Sequence, residues 1–143
     1  MTTLSQILSQ KGRDVVTVAP HRTVREAAQT LHEKGIGAVV VTGADGIVLG
    51  ILSERDVVKV LALGGAALED SVSKHMTSRV VTATEDTGVL QLMERMTEGR
   101  FRHIPVVEKG RLQGLVSIGD LVKHRIAEIE TERQAMLDYI GTA

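Results

Sequence analysis

Apolar residues recur along this chain in two registers, and each register comes twice. Val24, Ala27, Ala28 and Leu31 fall at i, i+3, i+4 and i+7, and Val89, Leu92, Met93 and Met96 repeat that spacing 65 residues later. Each set predicts an amphipathic helix with one buried stripe. Ahead of them, Val15-Val16-Thr17-Val18 returns as Val80-Val81-Thr82-Ala83 at the same offset, which predicts an opening strand in each copy. Thr23 and Glu26 form a capping box at the start of the first helix, whereas Gly88 and Gln91 stand there in the second and define its start less sharply. Behind the helices lie the runs Ala38-Val39-Val40-Val41 and His103-Ile104-Pro105-Val106-Val107. Tight turns, Gly43-Ala44-Asp45-Gly46 and Glu108-Lys109-Gly110, lead on to Val48–Leu52 and Leu112–Val116, so each copy predicts a hairpin. The turns differ by one residue and reset the offset to 64, and at that offset Ser53-Glu54-Arg55-Asp56 aligns with Ser117-Ile118-Gly119-Asp120, each opening another helix.

Each half therefore reads strand, helix, strand, turn, strand, helix. A unit of ~60 residues is too small to be comfortable alone, so two copies sharing one core are expected. The predicted organisation is a helical segment at 1–14, a first repeat at 15–63, a linker at 64–79, a second repeat at 80–122 and a helical extension at 123–143. In the linker, Gly64-Gly65-Ala66-Ala67 breaks the helix, and a short turn from Asp70 to His75 leads to Met76-Thr77. Past Asp120 the helix is expected to run to about Ile140, with Val122, Ile126, Ile129, Met136 and Ile140 forming a heptad-like seam interrupted at Arg133. That seam either packs on its own domain or makes a dimer contact. The dimer is preferred, because so small a module has little surface left to cover so long an apolar edge.

Composition narrows the function. Hydrophobic residues make up 43% of the chain and charged ones 24%, enough for a real core. Seventeen basic against eighteen acidic residues give a net charge of -1, so there is no global field for nucleic acid or an anionic membrane. The two aromatics, Phe101 and Tyr139, make base stacking a poor explanation of function. With no cysteine, a disulfide framework or thiolate chemistry is excluded, and a reducing cytoplasm is the expected location, with no leader or membrane span. No G-x-S-x-G, G-x-x-x-x-G-K-[ST] or H-E-x-x-H motif occurs, and Gly35-Ile36-Gly37 has Val40 where a third dinucleotide-binding glycine belongs, so catalysis is not expected. His21, His32, His75, His103 and His124 show no metal-ligand spacing and no carboxylate partner within a motif, so no metal site is expected. Met93 and Met96 read as core filler.

The most informative motif is Gly-hydrophobic-hydrophobic-Ser-x-x-Asp, present as Gly50–Asp56 and Gly114–Asp120. Ser and Asp at this spacing form a helix cap, and that alone accounts for one copy. Duplication in register, with a glycine upstream that admits another group, points further. Helix N–H donors suit a phosphate, and a neighbouring carboxylate can accept both hydroxyls of a ribose.

On these motifs, with Met76-Thr77 before the second copy, the stretch from Val15 to Val122 resembles a tandem pair of cystathionine-β-synthase (CBS) domains, a Bateman module. The resemblance implies an α/β (α+β) fold of two pseudo-symmetric β-α-β-β-α repeats with a long C-terminal helix, and two clefts that take AMP, ADP, ATP, NAD or S-adenosylmethionine. It implies a regulatory sensor without a required cofactor, acting as a homodimer on a separate effector protein. The alternatives are a ligand-free dimerisation module and an S-adenosylmethionine sensor. By the resemblance, Asp56 and Asp120 hold ribose hydroxyls, with Ser53 and Ser117 beside them. Thr17 and Thr82 meet the base, and Val16 and Val81 wall it. The Asp56 cleft faces Arg102 and His103. The Asp120 cleft faces Gly37 and Ala38 and borrows charge from Arg55, Arg100 or another subunit, so the Asp56 cleft is expected to be the better site. Arg100 and Arg102 are also readable as solvated charges on one face of a strand, with Phe101 and a half-buried His103 on the other.

Overall fold

Local hydrogen bonding sets the helix starts. The computed structural model describes residues 2–142; Met1 and Ala143, the outer residues of the two predicted terminal segments, lie outside them. Helix α1 covers Leu4–Lys11, and β1 is only Thr17–Val18. Helix α2 (Val24–Lys34) begins at Thr23, whose hydroxyl accepts the Glu26 N–H while Glu26 accepts the Thr23 N–H, and it ends at Gly35 in the left-handed region (φ 62°). Strands β2 (Ala38–Thr42) and β3 (Val48–Ser53) pair antiparallel and lead into α3 (Glu54–Leu63). A 3-10 turn at Gly65–Glu69 and the single-turn helix α4 (Val72–His75) make up the linker. The second half holds α5 (Val89–Gly99), the antiparallel pair β4 (His103–Glu108) and β5 (Arg111–Ser117), and α6 (Ile118–Thr142).

One predicted strand is reduced to a single bridge. β1 runs parallel to β2, with Thr17 opposite Val40 and the Val40 N–H donating to Val16 O at 3.2 Å. At the matching place in the second copy stands Pro105, which has no N–H to give Val81. Only Ala83 pairs there, donating to Pro105 O at 3.0 Å and accepting from Val107 N at 2.9 Å. The sheets are therefore unequal, ordered β1-β2-β3 and β4-β5. Their hairpin ends meet: Val48 N–H donates to Gly110 O at 3.2 Å, and Leu112 N–H to Gly46 O at 3.1 Å.

Two cores form, and each recruits a helix from the far side of the repeat it serves. Leu4, Ile7 and Leu8 of α1 are buried with Val89, Leu92, Met96, Ile104, Val116 and Leu121 of the second half. Val72 of α4 is buried with Ala27, Leu31, Val39, Val41 and Leu52 of the first half, with Met76 against them. Burying each such side chain contributes roughly 1.5–3 kcal/mol. The two dockings correspond: Leu4 N–H donates to Thr87 O (3.0 Å) and Ser5 to Glu85 O (2.9 Å), as Val72 does to Arg22 O (2.7 Å) and Ser73 to Pro20 O (3.1 Å). The glycines of the repeated motif admit these segments. A Cβ on Gly50 would come within 2.5 Å of the Met76 sulfur, and one on Gly114 within 2.6 Å of Leu8 Cδ2.

The long helix corrects one of the alternatives for the seam. Leu121 is fully buried, but Val122, Ile126, Ile129, Met136 and Ile140 are 40–68% exposed, so the seam does not pack on its own domain.

Candidate functional site

Ser53 and Asp56 join β3 to α3 through a reciprocal cap. The Ser53 N–H donates to Asp56 Oδ2 (2.9 Å), the Ser53 hydroxyl donates to the same oxygen (3.1 Å), and the Asp56 N–H donates to Ser53 Oγ (3.4 Å). The expected helix cap is therefore formed. It uses Oδ2 and leaves Oδ1 without a partner among the described residues. Asp56 lines a cleft of about 500 Å³ between the halves. From the first half come Gly37, Ile51, Ser53, Glu54, Arg55, Asp56 and Lys59; from the second come Val80, Val81 and the segment Gly99–His103, with Thr77 and Arg79 between. Thr77 is held there by paired backbone bonds with Ile51, at 3.0 and 2.9 Å.

The cleft gathers Gly37, Ser53, Arg55, Asp56, Val81, Arg100, Arg102 and His103 of the predicted residues. Several placements are corrected. Arg100 is not on a strand: it ends α5 in the left-handed region (φ 56°), and β4 begins only at His103. Arg55 and Arg100 face the Asp56 cleft and not the Asp120 seat, and the Arg55 guanidinium donates to Arg100 O at 3.4 Å. Gly37 lines the Asp56 cleft, with the His103 ring against it, while Ala38 is buried in the core. Val16 packs on the first core, and Thr17 and Thr82 do not line the Asp56 cleft. Lys59, Arg79 and Val80 were missed. Lys59 lies one helical turn after Arg55, a spacing that could have found it; Arg79 lies in a linker with no periodic signal.

The second motif closes differently. Ser117 and Asp120 repeat the cap, with Ser117 N–H to Asp120 Oδ2 at 2.9 Å and Asp120 N–H to Ser117 Oγ at 3.1 Å. Here Lys11 of α1 adds its ammonium, 2.5 Å from Asp120 Oδ2 and 2.7 Å from Leu115 O. Burial alone would raise the Asp120 carboxyl, but the hydrogen bonds from Lys11 and Ser117 outweigh it and hold the group below the usual carboxylate range. Sequence reasoning missed Lys11, which is 109 residues from its partner. His103 stands between the two motifs, opposite Ser117 in the β4–β5 register. Burial lowers its pKa, Lys11 and Arg102 act in the same direction, and Asp120 and Glu54 oppose them.

Among the described residues no group of three His, Cys, Asp or Glu could hold a metal. His75 nevertheless has a carboxylate partner that the sequence did not reveal, Asp70 at 2.8 Å, whereas His124 lies 3.8 Å from Glu128, beyond hydrogen-bond distance. No helix is long and apolar enough to cross a membrane among the described residues.

The CBS domain family matches the chain twice, over residues 5–63 and 71–127. The chain belongs to the CBS domain family. Its two repeats are a tandem CBS pair, with one serine–aspartate cap inside each matched range. A crystal structure of the CBS-domain containing protein ATU1752 from Agrobacterium tumefaciens is 58% identical, covers 87% of this chain and 99% of its own, and superposes with a TM-score of 0.83. The mitochondrial CBS domain-containing protein CBSX3 of Arabidopsis thaliana is 33% identical over 97% of this chain and 72% of its own length. The CBS domain pair of protein MJ0100, solved in complex with 5-methylthioadenosine and S-adenosyl-L-methionine, is 25% identical, covers 90% of this chain and 98% of its own, and has a TM-score of 0.80.

Proposed function

We propose that this CBS pair is a regulatory module that takes a phosphate-bearing adenine nucleotide, AMP, ADP, ATP or NAD, in the Asp56 cleft and reports it to a separate effector protein. The observation that carries this reading is the charge of the cleft. Arg55, Lys59, Arg79, Arg100 and Arg102 face only two carboxylates, Glu54 and Asp56. A phosphate chain supplies the missing negative charge, and guanidinium groups hold it by charge-assisted bonds. Oδ1 of Asp56 accepts a ribose hydroxyl, and Val80 and Val81 offer an apolar wall to the base.

S-adenosylmethionine is the second reading, because MJ0100 was solved with it and with methylthioadenosine. Its sulfonium adds positive charge to a cleft already rich in it. Two chains associate in this proposal through the exposed apolar seam of α6, so that ligand at the cleft shifts a packing equilibrium by its unequal affinity for the two states.

Thermal melting decides among these, since a ligand that binds only the folded state raises its stability. ATP, ADP, AMP or NAD is expected to raise the melting temperature of the wild type and to lose that effect in Asp56→Asn. A rise with S-adenosylmethionine alone would favour the second reading. No rise with any of them would leave a ligand-free dimerisation module.

A further inference from the structure

We propose that Lys11 closes the Asp120 seat, so that each chain takes one nucleotide, at Asp56, and not one per repeat. The inference rests on the reading of the Asp56 cleft given above. The two seats have the same cap, built on Oδ2 in each, but only one of the two carboxylates meets a cation. At Asp56 no cation lies within ion-pair distance among the described residues, and only the Ser53 cap contacts the carboxylate. At Asp120 a single oxygen accepts both the Ser117 N–H and the Lys11 ammonium, and the same ammonium also holds Leu115 O.

The cause is the unequal length of the two exchanged helices. α4 stops at His75, and the chain then extends so that Thr77 pairs with Ile51 and leads Arg79 and Val81 to the rim of the Asp56 cleft. α1 continues for a further turn to Lys11, which carries the ammonium to Asp120. That last turn is anchored on both sides. Leu8 lies against Gly114, the Gly12 N–H donates to Leu8 O at 2.8 Å, and Arg13 pairs with Glu85. A sugar hydroxyl reaching Asp120 meets a carboxylate already neutralised by an ammonium that this packing tethers.

Native mass spectrometry with ATP as the probe tests the assignment. The wild type is expected to carry one ATP per chain, and Lys11→Met and Lys11→Gln two. Lys11→Met combined with Asp120→Asn is expected to return to one, which locates the second ATP. A cooperative melt for each variant shows that it is folded. Two ATP on the wild-type chain, or one on both folded Lys11 variants, would overturn the inference while leaving the Asp56 reading in place. No ATP on any variant would overturn the Asp56 reading for ATP and this inference with it.

Discussion

The His103 ring covers the α-carbon of Gly37: a Cβ on Gly37 would stand 3.3 Å from both Cε1 and Nε2 of the ring and 3.2 Å from Glu54 Oε1. Gly37 is not among the residues with positive φ, so a side chain is admissible to the backbone; it crowds His103 and Glu54, which must give way into the cleft. Gly37→Val is expected to weaken ATP binding by about tenfold, equivalent to ~1.4 kcal/mol, while the protein still melts cooperatively. Calorimetric titration checks this, and unchanged affinity would mean that the ligand does not approach Gly37.

His103 also makes stability depend on pH. Its pKa is lowered by burial, with Lys11 and Arg102 acting in the same direction against Asp120 and Glu54. Between that lowered value and the ordinary one of about 6.5, the unfolded chain binds more protons than the folded one, so stability rises with pH. The contribution is fully present above the ordinary histidine pKa and is lost progressively as pH falls from there through the lowered folded value. Melting temperatures followed downward through this range are expected to fall more steeply for the wild type than for His103→Gln; equal slopes would contradict the assignment.

In the proposed reading of the cleft, Arg79 serves the phosphate and not the nucleoside. The Arg79→Ala variant is expected to lose about fivefold to tenfold in affinity for ATP, in line with the strength of a charge-assisted bond, and to bind adenosine as the wild type does. Because the cations of the cleft reach solvent, added salt should weaken ATP binding more than adenosine binding. Equal losses for both ligands would remove Arg79 from the phosphate contacts.

Pro105 accounts for the missing strand in the second repeat. Pro105→Val restores an N–H opposite Val81, and hydrogen exchange is expected to find that amide as slow as its counterpart Val40, which donates to Val16 at 3.2 Å. The gain is partly offset by a more flexible unfolded chain, about 0.4–1 kcal/mol, so the melting temperature should move little. Rapid exchange at residue 105 would show that the proline is not what limits the pairing.

The exposed seam of α6 is the proposed contact between two chains. Ile126 and Ile129 are 56% and 46% exposed and lie three residues apart on one face. Light scattering of the wild type is expected to give the mass of two chains, and Ile126→Glu with Ile129→Glu the mass of one. A double variant that remains dimeric would place the contact elsewhere on the molecule.

Much of the molecule is written in short-range spacing. The stripe from Val24 to Leu31 and its copy fixed two helices, the capping residues Thr23, Ser53 and Ser117 fixed where helices begin, and the turns at Gly46 and Gly110 fixed two hairpins. These features depend on residues within about one helical turn or one hairpin of each other, so they can be read along the chain. Pro105 was equally visible, but its effect depended on which carbonyl lay opposite it. The pairing of α1 with the second core, the arrival of Arg79 at the Asp56 cleft and the contact of Lys11 with Asp120 were not legible. They join segments far apart in sequence, and their geometry is fixed only when Leu8 and Met76 settle against Gly114 and Gly50. The sequence determined two equivalent caps; packing decided that one carboxylate meets a lysine and the other meets no cation.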